Sequence, residues 1–129
     1  MSAYEKRINR RSDYVSLLSR MAQLLAENGD YHQAGILRDL AARIANGQSL
    51  SVLDTNDVWG GAGSVVDCSF LHGANPPDEA IANQHRFGEL VVQLVDLLEQ
   101  DGVATDVMRS RRKSYLLWKA QRQQKTAGT

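Results

Sequence analysis

The 129-residue sequence holds a single cysteine, Cys68, so no intrachain disulfide can form and nothing points to an oxidising compartment. Its two prolines are adjacent, at 76 and 77, which predicts one stiff loop at Asn75-Pro76-Pro77. No apolar run reaches the roughly 20 residues that a helical membrane span requires. The opening M-S-A-Y-E-K-R-I-N-R-R is positively charged, but no apolar stretch follows it, so no secretory signal is predicted. The expectation is a soluble cytoplasmic protein without a membrane partner. No segment alternates polar and apolar residues long enough for a sheet, which leaves helices. Basic residues are nearly missing from the middle: residues 44–102 carry Arg86 alone against nine acids, a net charge of −8.

What is present fits a single helical domain. With 43% apolar and 23% charged residues, the chain can bury one core and is not a disordered polyelectrolyte. The domain is read as residues 1–129, with a core at about 12–123 and mobile ends at 1–11 and 124–129. Residues 1–43 carry a net +2 and residues 103–129 a net +6. The ends either neutralise the acidic middle within the fold or attract partners of opposite sign.

Periodicity predicts four main helices in an all-α antiparallel bundle, with short helices and a glycine-rich loop in the middle. Tyr14, Leu17, Leu18, Met21, Leu24 and Leu25 share one face of a helix over 12–28, capped by Ser12 or Asp13 and ended by Gly29. Asp30, with Gln33 completing a capping box, opens a second helix that Gly47 stops. The short turn between them predicts an αα-hairpin. A G-D-Y-H-Q-A run at 29–34 is similar to a tetratricopeptide turn, but no second copy follows. Phe87, Leu90, Val91, Leu94, Val95 and Leu98 line a long helix over 79–100, capped by Asp78 and ended by Gly102. A last helix at 105–123 starts at Thr105.

The irregular centre holds the stretch W-G-G-A-G-S-V-V-D, residues 59–67. Ser51 and Asp54 read as a capping box for a short helix reaching Trp59, and Ser64 and Asp67 as a second box for a helix over 65–72. Gly60, Gly61 and Gly63 before a helix start could cradle an anion. No Lys follows them, Val66 stands where a dinucleotide fingerprint needs glycine, and Asp67 competes for the positive end. A structural corner is the alternative reading. Cys68 and His72, four apart on that helix, could form a thiolate–imidazole pair. Cysteine as core filler competes with that reading. His85 and Glu89 are read as a solvated surface pair. No metal or cofactor is implied.

The basic tail, residues 109–125, offers Arg109, Arg111, Arg112, Lys113, Lys119 and Arg122 with Tyr115 and Trp118 between them. That mixture suits phosphate contact and base stacking. It equally suits a helix lying against the acidic middle.

At Gly60–Asp67 the sequence resembles a small bacterial helical domain family of unknown function that shares a G-G-x-G-S-x-x-D motif. The spacing of Asn83, Phe87 and Leu90 is also similar to the downstream helix of that family. The likeness covers about residues 14–100, with Ala62 where members carry a larger residue and Val65 where they carry an aromatic. Some members resemble immunity proteins, and no catalytic residues are established among them. The resemblance implies a non-enzymatic protein that binds a protein partner, such as a cognate toxin. Trp59, Asp54, Asp57, Gly60, Gly61, Gly63, Ser64 and Asp67 are then the expected contact residues. A nucleic-acid-binding accessory protein is the alternative, and an enzyme using Cys68 and His72 the third reading.

Overall fold

The computed structural model describes residues 3–71 and 77–127. Among them the chain is all-helical, with no strand: α1 (Ala3–Glu27), α2 (Tyr31–Ala45), α3 (Asn56–Trp59), α4 (Asp78–Gln100) and α5 (Asp106–Ala127). Two single 3₁₀ turns, Leu50–Leu53 and Val65–Asp67, flank α3. The predicted loop residues Asn75 and Pro76 lie outside the described residues.

The first helix starts well before Ser12 and Asp13, which lie inside it and cap nothing. Its early turns are held from outside. Arg10 ion-pairs with Asp101, and the Arg11 guanidinium donates to the carbonyls of Ile44 (3.1 Å) and Gln48 (2.8 Å). These carbonyls sit at the end of α2, where intrahelical donors run out. Because the start of α1 meets the end of α2, the two helices run back along each other. Gly29, at φ +88°, makes the turn between them, a conformation that a side chain resists.

The predicted capping box at Asp30 does not form. Asp30 occupies the N-cap without a side-chain cap bond, and its carboxylate accepts from Asn28 Nδ2 at 2.7 Å instead. Gln33 reaches across to the centre of the chain, described below.

In packing order the long helices run α2, α1, α4, α5, and the central segment rests on α2 while α3 also touches α5. The centre of the chain thus bridges the two outer helices. Tyr14, Leu18, Met21 and Leu25 of α1 are fully buried against Leu37 and Ile44 of α2 and Leu94 and Leu98 of α4. Each such side chain contributes about 1.5–3 kcal/mol relative to exposure. The Tyr14 hydroxyl is satisfied by donating to Asp101 Oδ2 at 2.8 Å. Burial, with that acceptor beside it, pushes the phenol far above its ordinary pKa, so it remains a donor.

α5 begins at Asp106, with the Thr105 Oγ1 accepting from the Met108 amide at 3.3 Å. It lies along α4 in the opposite sense, since Arg109 meets Glu99, Arg112 meets Asp96 and Lys119 meets Glu89.

Candidate functional site

The glycine corner is assembled by caps other than the predicted ones. Ser49, not Ser51, caps the first 3₁₀ turn by accepting from the Ser51 amide at 3.2 Å. Thr55 caps α3 by accepting from the Asp57 amide at 3.2 Å. Neither S-x-x-D box forms. Ser64 is buried, and its hydroxyl donates back to the Gly60 carbonyl at 2.7 Å.

Trp59 is 3% exposed, and its indole N–H donates to the Leu53 carbonyl at 2.7 Å. This corrects its expected role as a surface anchor: it is the corner's internal post. A buried indole requires such an acceptor, and the preceding 3₁₀ turn supplies one. Gly60 follows at a point with no room for a side chain, because a Cβ there would stand 2.5 Å from the Asn56 carbonyl oxygen.

Donors from two other helices close the corner. Arg111 of α5 donates through Nε to the Trp59 carbonyl at 3.2 Å and through its terminal nitrogen to the Gly60 carbonyl. Gln33 of α2 donates to the Gly63 carbonyl at 3.2 Å. The corner therefore turns carbonyl oxygens toward protein donors. That polarity is opposite to the ring of N–H groups that cradles a phosphate. Gly61, Gly63, Asp54, Asp57 and Asp67 are exposed. None of the three carboxylates makes an ion pair among the described residues.

The helix expected over 65–72 is a three-residue 3₁₀ turn, Val65–Asp67, after which the backbone is extended at Cys68. Cys68 therefore stands on no helix, and its expected partner His72 lies outside the described residues. The half-buried thiol donates to the Ser64 carbonyl at 3.6 Å. Burial, reinforced by Asp30 and Asp67, pushes its pKa up to about 11, so at neutral pH it is a protonated, weak nucleophile. Among the described residues no three His, Cys, Asp or Glu side chains come together to hold a metal ion.

The basic helix turns most of its charge inward. Arg109 pairs with Glu99 and, at 2.9 Å, with Asp106. Arg112 pairs with Asp96 at 2.9 Å, and Lys119 with Glu89 at 2.6 Å. Arg122 lies over the Trp118 ring at 5.3 Å, and Lys113 is exposed. Three of the five α4 acids, Glu89, Asp96 and Glu99, are thus taken up by α5.

His85 and Glu89 are not a solvated pair. The Tyr115 hydroxyl donates to Glu89 Oε1 at 3.0 Å and stands 3.4 Å from His85 Nδ1. The His85 ring packs on Trp118 with centroids 4.6 Å apart. The Lys119 hydrogen bond, helped by Tyr115, holds the Glu89 carboxyl below its usual range. Tyr115 settles there because Gly88 leaves space: a Cβ at Gly88 would stand 2.0 Å from the ring. Sequence reading passed over Gly88, although a glycine amid a strong helical stripe signals a packing cause.

Among the described residues no helix is long and apolar enough to cross a membrane. No protein family, curated protein or solved structure matches the chain.

Proposed function

We propose that the protein is a non-enzymatic, cytoplasmic binding protein that presents the acidic corner to a basic protein partner, as an immunity-type inhibitor of a bacterial toxin does. One observation carries this reading. Asp54, Asp57 and Asp67 are exposed and make no ion pair among the described residues, whereas Glu89, Asp96 and Glu99 are matched by cations of α5. Carboxylates held at a rigid corner steer a cationic partner and fix its orientation with little ordering cost. The likeness of Gly60–Asp67 to a family with immunity-like members points the same way. We further infer that the four long helices act as an antiparallel bundle, a scaffold on which the corner is mounted.

Nucleic-acid binding through Arg109, Arg111, Arg112, Lys113, Lys119 and Arg122 is the weaker reading. Three of these six would first have to leave a carboxylate, and Arg111 two carbonyls.

The test is affinity capture from lysate of the source organism, with and without nuclease, using the wild type and an Asp54→Lys/Asp57→Lys variant. One stoichiometric, nuclease-resistant partner is expected on the wild type. Its association rate should drop by about tenfold or more on the variant, with an unchanged melting curve. A partner that binds both proteins equally would sink the assignment to this face. Recovery of nucleic acid in its place would transfer the function to α5.

A further inference from the structure

α5 is held differently from the other long helices. α4 buries Phe87, Leu90, Val91, Leu94, Val95 and Leu98, whereas among the described residues of α5 only Met108 is fully buried. The other ties of α5 to α4 are the ion pairs from Arg109, Arg112 and Lys119, the hydrogen bond from Tyr115, and the contacts of the Trp118 and Tyr115 rings with His85 and Gly88. Every partner in those ion pairs is at least 34% exposed, so salt reaches them and screens them. Apolar contact beneath the helix is also incomplete. A cavity of about 280 Å³ lies between the segment after the corner, α4 and α5, with Phe87, Val91, Tyr115 and Trp118 in its walls.

The same helix reaches the corner. Arg111 places its guanidinium on the carbonyls of Trp59 and Gly60, and the Gly60 carbonyl also accepts from Ser64. When α5 leaves, the Trp59 and Gly60 carbonyls lose Arg111, and Ser64 stays on Gly60.

We propose that α5 is a salt-releasable strap whose docking holds the glycine corner in shape through Arg111. Ionic conditions, or a polyanion competing for the α5 cations, then act on the corner through α5. Since the corner is the binding face assigned above, the strap regulates partner binding, and this last step rests on that assignment. The coupling of α5 to the corner does not.

Amide hydrogen exchange on the intact protein tests the coupling without any partner. The informative corner amides are Gly60, Ser64 and Cys68, bonded to the carbonyls of Asn56, Gly61 and Val65. Raising NaCl from low concentration to about 1 M should reduce protection across α5 roughly tenfold, and at the corner with it, while α1 and α2 stay protected. The variant Arg109→Glu/Arg112→Glu/Lys119→Glu should show the same loss at low salt. Arg111→Ala should loosen the corner and leave α5 protected. Salt-independent protection of α5, or simultaneous loss in α1 and α5, would overturn the strap. A corner that keeps its protection in Arg111→Ala would overturn the coupling. If the triple variant fails to fold, the salt series and Arg111→Ala decide alone. Failure here is distinct from failure to capture a partner, because none is present.

Discussion

The two helical hairpins share a shape but not an adhesive. Between α1 and α2 the contact is apolar: Leu18, Met21 and Leu25 share one core with Leu37 and Ile44, all fully buried. The polar ties there are the donations of Arg11 to carbonyls at the end of α2. Between α4 and α5 the order is reversed. Arg109, Arg112 and Lys119 meet carboxylates along the seam, and the Trp118 ring packs on that of His85. The same topology therefore gives one hairpin indifferent to ionic strength and another that responds to it. Apolar burial acts through water and is not screened, whereas exposed charge pairs are.

The sharpest way to break this contrast is to damage the apolar hairpin. Leu37→Ala leaves a cavity at a fully buried site and should cost about 2–5 kcal/mol. Urea melts at low and high salt should agree on that loss; a loss that salt reverses would contradict the apolar account. Next comes the single steric fit in the ionic hairpin. Gly88→Ala drives a methyl group into the Tyr115 ring and should cost about 1–3 kcal/mol as the ring is displaced. The Tyr115–Glu89 hydrogen bond should then be lost, visible as a shift of the Glu89 carboxyl resonance toward its ordinary titration.

Acid sharpens the comparison further. Lys119 holds Glu89, and Arg109 holds Glu99, below the ordinary carboxylate value of 4.5. A carboxyl depressed in the folded state stabilises it above the unfolded value and loses that effect as pH falls through the folded one. The α4–α5 seam should therefore weaken below about pH 4.5, with Trp118 fluorescence changing before the α1–α2 amides lose protection. Simultaneous change would mean that both hairpins melt as one unit. The smallest expected effect belongs to Arg112→Ala, which removes one half-exposed ion pair. It should cost about 0–1 kcal/mol at low salt and less when salt is added.

Much of the fold was legible because helix periodicity and glycine stops are local signals. The stripes on α1, α2 and α4 and the turns at Gly29 and Gly102 follow from neighbouring residues alone. What was missed depends on distant partners. α1 reaches back to Ala3 with its early turns tied to residues 44, 48 and 101, and no local pattern foretells those ties. The box at Asp30 failed for the same reason, since Gln33 donates to the distant Gly63 carbonyl, whereas Ser64 was claimed by a local acceptor, the Gly60 carbonyl. Trp59 beside glycines reads as exposed until Leu53 is seen to supply an acceptor for its indole. At the site, the corner reading of the glycines and the match of basic tail to acidic middle were available from charge and composition. Arg111 as the link between them was not, since nothing in the sequence aims that one arginine at two carbonyls.

Asp101 accepts from Tyr14 while pairing with Arg10, and that clasp sets an order on how the chain assembles. The ties between α1 and α2 reach no farther along the chain than Gln48, so this hairpin can form before α4 is made. The clasp joins positions 87 and 91 residues apart, and closing so long a loop is slow compared with a local turn. α1 can therefore be fully covered only once the end of α4 has been made.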